Sequence, residues 1–244
     1  SDKRYQATIR LGSSTDTYDS EGLTVSQPDI VPVENITEDL FQETLDQFVG
    51  EIEQIPPPYS AIKVQGRKAY EMAREGEEVE LAPRKINVYS LEMLEWDPPE
   101  VVVDVFCSSG TYVRSLANDV GQSLGCGGHL VGLRRTKSGR FTLRDAVPLR
   151  RLQESFSLGN WYKYLIPAAE ALGDWRAVEL DADQVELIRH GHRVLATYDD
   201  LDEQSQGSGK GWARGISEQG DLVALLEIDP EKMEWQPRKV FFTS

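Results

Sequence analysis

The sequence predicts an α/β (α+β) chain: a mixed, mainly antiparallel sheet with flanking helices, followed by a small β-rich domain. Three observations predict it. In residues 3–11, Tyr5, Ala7, Ile9 and Leu11 alternate with polar residues, the period-two pattern of a strand with one buried face. Residues 85–94 and 100–108 read as strands paired across Asp97-Pro98-Pro99, and the unbroken run Val101-Val102-Val103 marks the second as central. From Val113 to Leu124, Leu116, Val120 and Leu124 fall on one helical face.

The remaining elements follow in chain order. A turn-rich loop runs from Gly12 to Gly22. Thr37 is a predicted N-cap, with Glu38 and Asp39 where the helix dipole favours anions. Leu40, Phe41, Leu45, Phe48 and Val49 give that helix an apolar stripe, and Gly50 is its predicted C-cap. Ile55-Pro56-Pro57-Pro58-Tyr59 cannot be helical. Arg67 to Glu75 reads as a short helix ended by Gly76. Residues 130–147 return to strand character and finish at Pro148. After about residue 155 the pattern changes. Asn160 to Leu172 reads as linker plus helix, and Asp183 to His190 as a helix closed by Gly191. Strand-like pieces cover 193–198, 221–228 and 238–243, with a polar loop from Asp199 to Gly211. Domains are expected at 1–155 and 166–244.

Composition limits the partners. Charged residues make up 27% and hydrophobic residues 39%, a globular balance. No apolar run approaches the roughly 20 residues of a membrane span, and no signal peptide opens the chain. The two cysteines, Cys107 and Cys126, have no Cys-x-x-Cys spacing, which points to a reducing cytoplasm and away from structural zinc. His129, His190 and His192 show no metal-ligand pattern. Phosphate-cradling, dinucleotide and serine-nucleophile motifs are all absent from the sequence.

The net charge of −15 repels phosphate at long range. A nucleic-acid partner therefore has to meet a local basic patch. Between Phe106 and Arg151, the cations Arg114, Arg134, Arg135, Lys137, Arg140, Arg144, Arg150 and Arg151 face only Asp119 and Asp145. A solvated basic face is the plainer reading of that window.

The strongest local signal is Cys107 to Leu116. A buried strand runs into Ser109-Gly110, and Tyr112 and Arg114 follow at a helix start. An aromatic plate beside a guanidinium suits a flat base bound near an anion; a core tyrosine and a surface arginine fit the spacing equally well. The cluster Thr15-Asp16-Thr17-Tyr18-Asp19 reads as a loop held by Asx and hydroxyl turns.

Five blocks, in order over residues 1–145, resemble the bacterial tRNA pseudouridine synthases of the TruB family. They are Ser1 to Tyr5 with Leu11 to Gly22; Gly50 to Lys63, containing Ile55-Pro56-Pro57-Pro58-Tyr59-Ser60-Ala61; Gly66 to Gly76; Gly110-Thr111-Tyr112-Val113-Arg114; and Gly125 to Arg135. The C-terminal third is more loosely similar to the family's small RNA-binding domain, which is PUA-like. The resemblance implies isomerisation of a tRNA T-loop uridine, at position 55 of the tRNA, to pseudouridine. It implies no metal and no organic cofactor. It also implies a tRNA T-stem-loop as partner, a monomer and a cytoplasmic setting. Tyr5 resembles the tyrosine that contacts the target base and is implicated in proton removal at C5. Tyr112 resembles the residue that stacks on the flipped base, and Leu133 one that lines the pocket. Arg114 resembles the arginine that pairs with the catalytic aspartate. Lys63, Arg67, Lys68, Tyr70 and Arg74 lie in the segment that inserts against the T-loop in relatives, where Glu71, Glu75, Glu77 and Glu78 dilute the charge; Arg134 and Arg135 are further candidate RNA contacts.

The family's aspartate sits in a Gly-x-Leu-Asp-Pro-type loop upstream of the tyrosine matching Tyr5, and residues 1–244 contain no such loop. Asp16 and Asp19 belong to a different motif of the family and are not its replacement. The expectation is a truncated copy of an active enzyme, inactive by itself. The alternative is a non-catalytic tRNA-binding or tRNA-folding protein. With no family aspartate in reach, Arg114 is expected to be hydrated, turned outwards or matched to a substitute such as a bound anion.

Overall fold

The computed structural model describes residues 1–25, 30–64, 66–77, 81–197 and 211–241. Contacts divide the chain into two units, Ser1–Asp145 and Ala146–Ser244.

In the first unit, β1 (Lys3–Leu11) is followed by the two-residue strands β2 (Ser14–Thr15) and β3 (Thr24–Val25), which pair with each other. Then come α1 (Glu38–Asp46), β4 (Gly50–Gln54), β5 (Lys63–Val64), β6 (Arg67–Lys68) and α2 (Ala69–Arg74). The unit closes with β7 (Arg84–Asp97), β8 (Glu100–Cys107), α3 (Val113–Ser123), β9 (Gly128–Ser138) and β10 (Phe141–Thr142). Among the described residues these form a six-stranded sheet in the order β10-β9-β1-β8-β7-β4. Every pairing in it is antiparallel.

The alternation expected in β1 is realised. Ala7, Ile9 and Leu11 are buried, and Tyr5 packs against the same core. Val101, Val103 and Val105 of β8 have no exposed surface, and β8 lies inside the sheet between β1 and β7. Phe41 and Leu45 of α1 join Val113, Leu116 and Val120 of α3 in that core. Helix α3 approaches β9 through glycine. A Cβ on Gly121 would lie 2.1 Å from the Gly128 nitrogen. Only glycine permits that approach, which brings the last turn of α3 (Val113–Ser123) against the start of β9.

Several boundaries differ from expectation. Helix α1 stops at Asp46, and Gly50 opens β4 at φ +109° instead of capping the helix. Val49 lies past the helix end and is exposed, and Leu40, inside the helix, is exposed as well rather than part of the stripe. Arg67 and Lys68 form β6, so the helix expected from Arg67 starts at Ala69; Gly76 follows with φ +77°.

The second unit contains α4 (Leu149–Ser157), α5 (Ala168–Ala171), β11 (Arg176–Leu180), α6 (Ala182–Arg189), β12 (Val194–Leu195), β13 (Trp212–Ser217), β14 (Leu222–Asp229) and β15 (Glu234–Val240). Its five-stranded sheet runs β11-β13-β14-β15-β12, and β11 pairs with β13 in parallel while the other pairings are antiparallel. Among the named strands the parallel pairing of a mixed, mainly antiparallel architecture thus falls in this sheet, whereas the first unit's sheet, where it was expected, is antiparallel throughout. Trp235, Leu180, Ile188 and Leu226 are the bulk of its core. Asp181 caps α6 by accepting from the Gln184 amide, at 2.8 Å. The expected strands at 193–198 and 238–243 are shorter or shifted, and residues 198 and 242–243 lie outside the described residues. So does the expected loop from Asp199, up to residue 210.

Candidate functional site

The loop joining β1 to α1 is built around one carboxylate. Thr15 Oγ1 donates to the Asp19 carbonyl at 2.7 Å, and Thr17 Oγ1 donates to Asp19 Oδ1 at 2.6 Å. The Glu21 amide donates to the same Oδ1 at 3.2 Å, while the Leu23 amide donates to Asp16 Oδ1 at 2.8 Å. These are the Asx and hydroxyl turns expected from the sequence. Tyr18 takes φ +64°, an unusual value for a residue with a side chain. Its carbonyl accepts from the Leu130 amide, and the Ser20 amide donates to the Leu130 carbonyl, both at 3.0 Å. The loop is thereby stitched to β9 on both sides of Asp19. His129, 6% exposed, anchors its start: Nδ1 lies 2.9 Å from the Ser13 carbonyl and must carry the proton it shares there.

Asp19 Oδ2 accepts from Arg114 Nη1 at 2.8 Å, and Arg114 Nη2 donates to the Tyr59 carbonyl at 2.7 Å. Arg114 is therefore neither turned outwards nor waiting for an anion; its partner is a carboxylate of this chain. Both side chains are about a quarter exposed, 25% and 24%. A guanidinium has five N–H donors, so two bonds leave donors for a further acceptor.

Arg114 opens onto a cleft whose other walls are Thr17, Asp19, Glu21, Tyr59, Ser60, Ala61, Tyr70 and Arg74. The structure thus brings Arg114, Tyr70 and Arg74 together. Arg74 lies over the Tyr70 ring, 5.5 Å from its centre, and Lys68 lies on the ring at 5.3 Å. Lys68 Nζ also reaches Tyr70 Oη at 3.1 Å. Arg67 is directed elsewhere, onto Glu75 at 2.6 Å and Glu77 at 2.8 Å. Lys63 pairs through the backbone with Lys68 in the β5–β6 ribbon.

Tyr5, Tyr112 and Leu133 are not among the walls of this cleft. Tyr5 and Leu133 share a sheet face, because Leu133 is the register partner of Ala7 and Tyr5 stands two residues along β1. Leu133 is 51% exposed. Arg134 and Arg135 follow it on β9, exposed and opposite Gln6 and Tyr5. Tyr112 is the residue before α3 and has no side-chain capping bond.

Two residues were not legible beforehand. One is Asp19 as the partner of Arg114. The other is Gln54, which is 3% exposed at the end of β4. Its Nε2 donates to the Tyr112 carbonyl at 3.0 Å, and its Oε1 accepts from the Tyr112 amide at 2.8 Å.

Two ionisable groups beside the site are shifted. Burial pushes the Asp119 carboxyl up, against a hydrogen bond from Asn118 that lowers it. Burial also pushes the Tyr18 phenol up, with Asp119 adding to the effect. Among the described residues, no helix is long and apolar enough to cross a membrane.

The sequence profile of "TruB family pseudouridylate synthase (N terminal domain)" matches residues 1–113, and that of "tRNA pseudouridylate synthase B C-terminal domain" matches residues 114–171. A tRNA pseudouridine synthase B of Aromatoleum aromaticum is 46% identical over 195 residues, covering 80% of this chain and 61% of that protein. One of Heliobacterium modesticaldum is 39% identical over 245 residues, covering 98% of this chain and 76% of that protein. One of Thiobacillus denitrificans is 39% identical over 242 residues, covering 99% and 76%. In fold, the chain is similar to a chain in the crystal structure of a Cbf5-Nop10-Gar1 complex, with a TM-score of 0.71 and 23% identity over 99% of this chain and 67% of that one. It is also similar to a chain of an H/ACA RNP bound to a substrate RNA containing 2′-deoxyuridine, with a TM-score of 0.68 and 22% identity over 100% and 67%. Profiles and relatives agree: the chain belongs to the TruB family of pseudouridylate synthases.

Proposed function

We propose that this protein serves the isomerisation of a T-loop uridine of tRNA, position 55, to pseudouridine. The observation that carries the reading is Arg114, held at the start of α3 by Asp19 and the Tyr59 carbonyl, on the wall of a cleft shared with Tyr70 and Arg74. The reaction breaks the bond from C1′ to N1, turns the uracil and joins C1′ to C5; C5 loses its proton and N1 gains one. No redox change occurs, so the reaction calls for no electron carrier, and the family resemblance implies neither metal nor organic cofactor.

The residues divide the work. The uridine leaves its stack at a cost of a few kcal/mol, and stacking on the Tyr112 ring offsets it by about 1–3 kcal/mol. Tyr5 contacts the base and assists proton removal at C5, and Leu133 lines the same pocket. Arg114 keeps the family's catalytic aspartate ionised by its adjacent charge. Lys63, Arg67, Lys68, Tyr70 and Arg74 grip the T-stem-loop by its shape, and Arg134 and Arg135 meet its phosphates. The second domain, over 166–244, is a PUA-like RNA-binding module. The protein works as a cytoplasmic monomer.

The test joins a segment bearing the family's Gly-x-Leu-Asp-Pro-type loop ahead of Ser1. The joined chain is incubated with a T-stem-loop RNA tritiated at C5 of the target uridine. Tritium release by the joined chain, and none by residues 1–244 alone, is expected. A folded joined chain that binds the RNA without release would leave the reading as a tRNA-binding or tRNA-folding protein.

A further inference from the structure

Gln54 does something a strand residue at a sheet edge does not ordinarily do. It terminates β4, an edge strand of the sheet, yet its side chain is buried and faces across to the start of α3. Both ends of its amide bind one residue: Nε2 to the Tyr112 carbonyl and Oε1 to the Tyr112 amide. Tyr112 stands just before α3, with φ −96° and ψ 105°. Its amide lies outside the helical bonding pattern and has no helix carbonyl to bind. The Gln54 clamp satisfies that amide and fixes the peptide plane before the Tyr112 Cα; the plane after it is held by Gln54 together with the Leu116 amide, which donates to the same carbonyl at 3.1 Å, and the two planes with χ1 aim the ring. The neighbouring stitches run the same way: Ser115 Oγ donates to the Ile55 carbonyl at 3.0 Å, and Arg114 Nη2 donates to the Tyr59 carbonyl at 2.7 Å. The Pro56-Pro57-Pro58 run keeps the intervening chain extended.

We propose that Gln54 is a positioning residue: it aims the Tyr112 ring at the extruded base by clamping the Tyr112 backbone. The proposal rests on the reading of Tyr112 as the base-stacking residue. Gln54 itself touches no substrate.

The test is a double-mutant cycle read by RNA affinity. A fluorescein-labelled T-stem-loop hairpin is titrated with the 244-residue chain and with Tyr112→Ala, Gln54→Met and the double variant. The wild type is expected to bind it more tightly than an unrelated hairpin of equal length; without that preference the functional reading fails first and this proposal with it. Tyr112→Ala and Gln54→Met should each weaken binding about tenfold, the scale of one base–aromatic stack. The double variant should bind no more weakly than Tyr112→Ala, because a clamp has nothing to aim once the ring is gone. Additive losses, or an unchanged Gln54→Met, would overturn the proposal while leaving the wild-type preference intact. If Gln54→Met does not fold, Gln54→Glu decides the matter. Its carboxylate can accept from the Tyr112 amide but opposes the Tyr112 carbonyl; once protonated it donates and accepts as the glutamine does. Affinity relative to wild type at the same pH should then recover on acidification, and a flat ratio would sink the clamp.

Discussion

Arg114 and Asp19, 95 residues apart in sequence, meet at 2.8 Å, and the same guanidinium binds the Tyr59 carbonyl with its other terminal nitrogen. A cation at this depth left without a partner is strongly unfavourable. Asp19 removes that penalty from within the chain, and Thr17 and the Glu21 amide hold its second oxygen in place.

Removing either partner should therefore expose the dependence of one on the other. Arg114→Met, Asp19→Asn and the double variant are compared by urea unfolding. The two single losses should be non-additive, with a coupling energy of about 0.5–3 kcal/mol. Thr17→Val should cost about 1 kcal/mol by releasing the second oxygen of Asp19. A coupling energy of zero would mean that the pair is formed without consequence.

How much of this could be read from sequence depends on the range of the interaction. β1 was legible over its full length, Lys3–Leu11, because alternation is local and one face is buried. The central place of β8 was legible from its valine run for the same reason. The end of α1 was not: Gly50 looks like a helix cap, but its φ of +109° serves entry into β4. Helix α4 was not anticipated although Leu149, Leu152 and Phe156 recur at helical spacing; Leu149 and Phe156 are 70% and 58% exposed. β11 and β13 escaped because they are short, and Gly215 and Arg214 interrupt the pattern of the second. At the site, Tyr112 and Arg114 were visible as neighbours. Asp19 and Gln54 were not, since nothing local tells a loop aspartate or an edge-strand glutamine which distant partner it will find.

The close approach of α3 to β9 should tolerate no side chain at Gly121. A Cβ there would sit 2.1 Å from the Gly128 nitrogen and 2.4 Å from the Gly127 carbonyl carbon, both of them backbone atoms that cannot swing away. Gly121→Ala is expected to lower stability by about 1–3 kcal/mol or more. It should also weaken T-stem-loop binding, because α3 carries Arg114. Thermal unfolding and RNA titration check the two effects, and a variant as stable as wild type would show that the helix can move off the sheet freely.

The cations of the β5–α2 segment should be unequal in RNA binding. Arg67 already faces Glu75 and Glu77, whereas Arg74 has no carboxylate partner among the described residues and lines the cleft. Arg74→Ala is expected to weaken T-stem-loop binding and lower the slope of log affinity against log salt by about one. Arg67→Ala should do less of both. Titrations across a salt series decide it, and an equal effect of the two substitutions would show that RNA pulls Arg67 off its glutamates.

Asp119 should make the protein less stable as pH rises through the acid range. Burial raises its carboxyl above the ordinary value of 3.8, so in this window the folded chain holds a proton that the unfolded chain has released. With more protons bound in the folded state, stability falls as pH rises. Below the ordinary value both states are protonated and the penalty is absent; above the raised value both are ionised and the penalty is constant. Asp119→Asn removes the charge and keeps an oxygen to accept from Asn118 Nδ2, which lies 3.1 Å from Oδ1. The variant should match wild type near the bottom of the window, at about pH 4, and exceed it at neutral pH. Because Asp119 also raises the Tyr18 phenol, the substitution should bring that phenol part of the way back towards its ordinary value, with burial still holding it above. Urea midpoints at the two pH values, with ultraviolet titration of the tyrosines, measure both effects. A gain of equal size at both pH values would assign it to packing instead of charge.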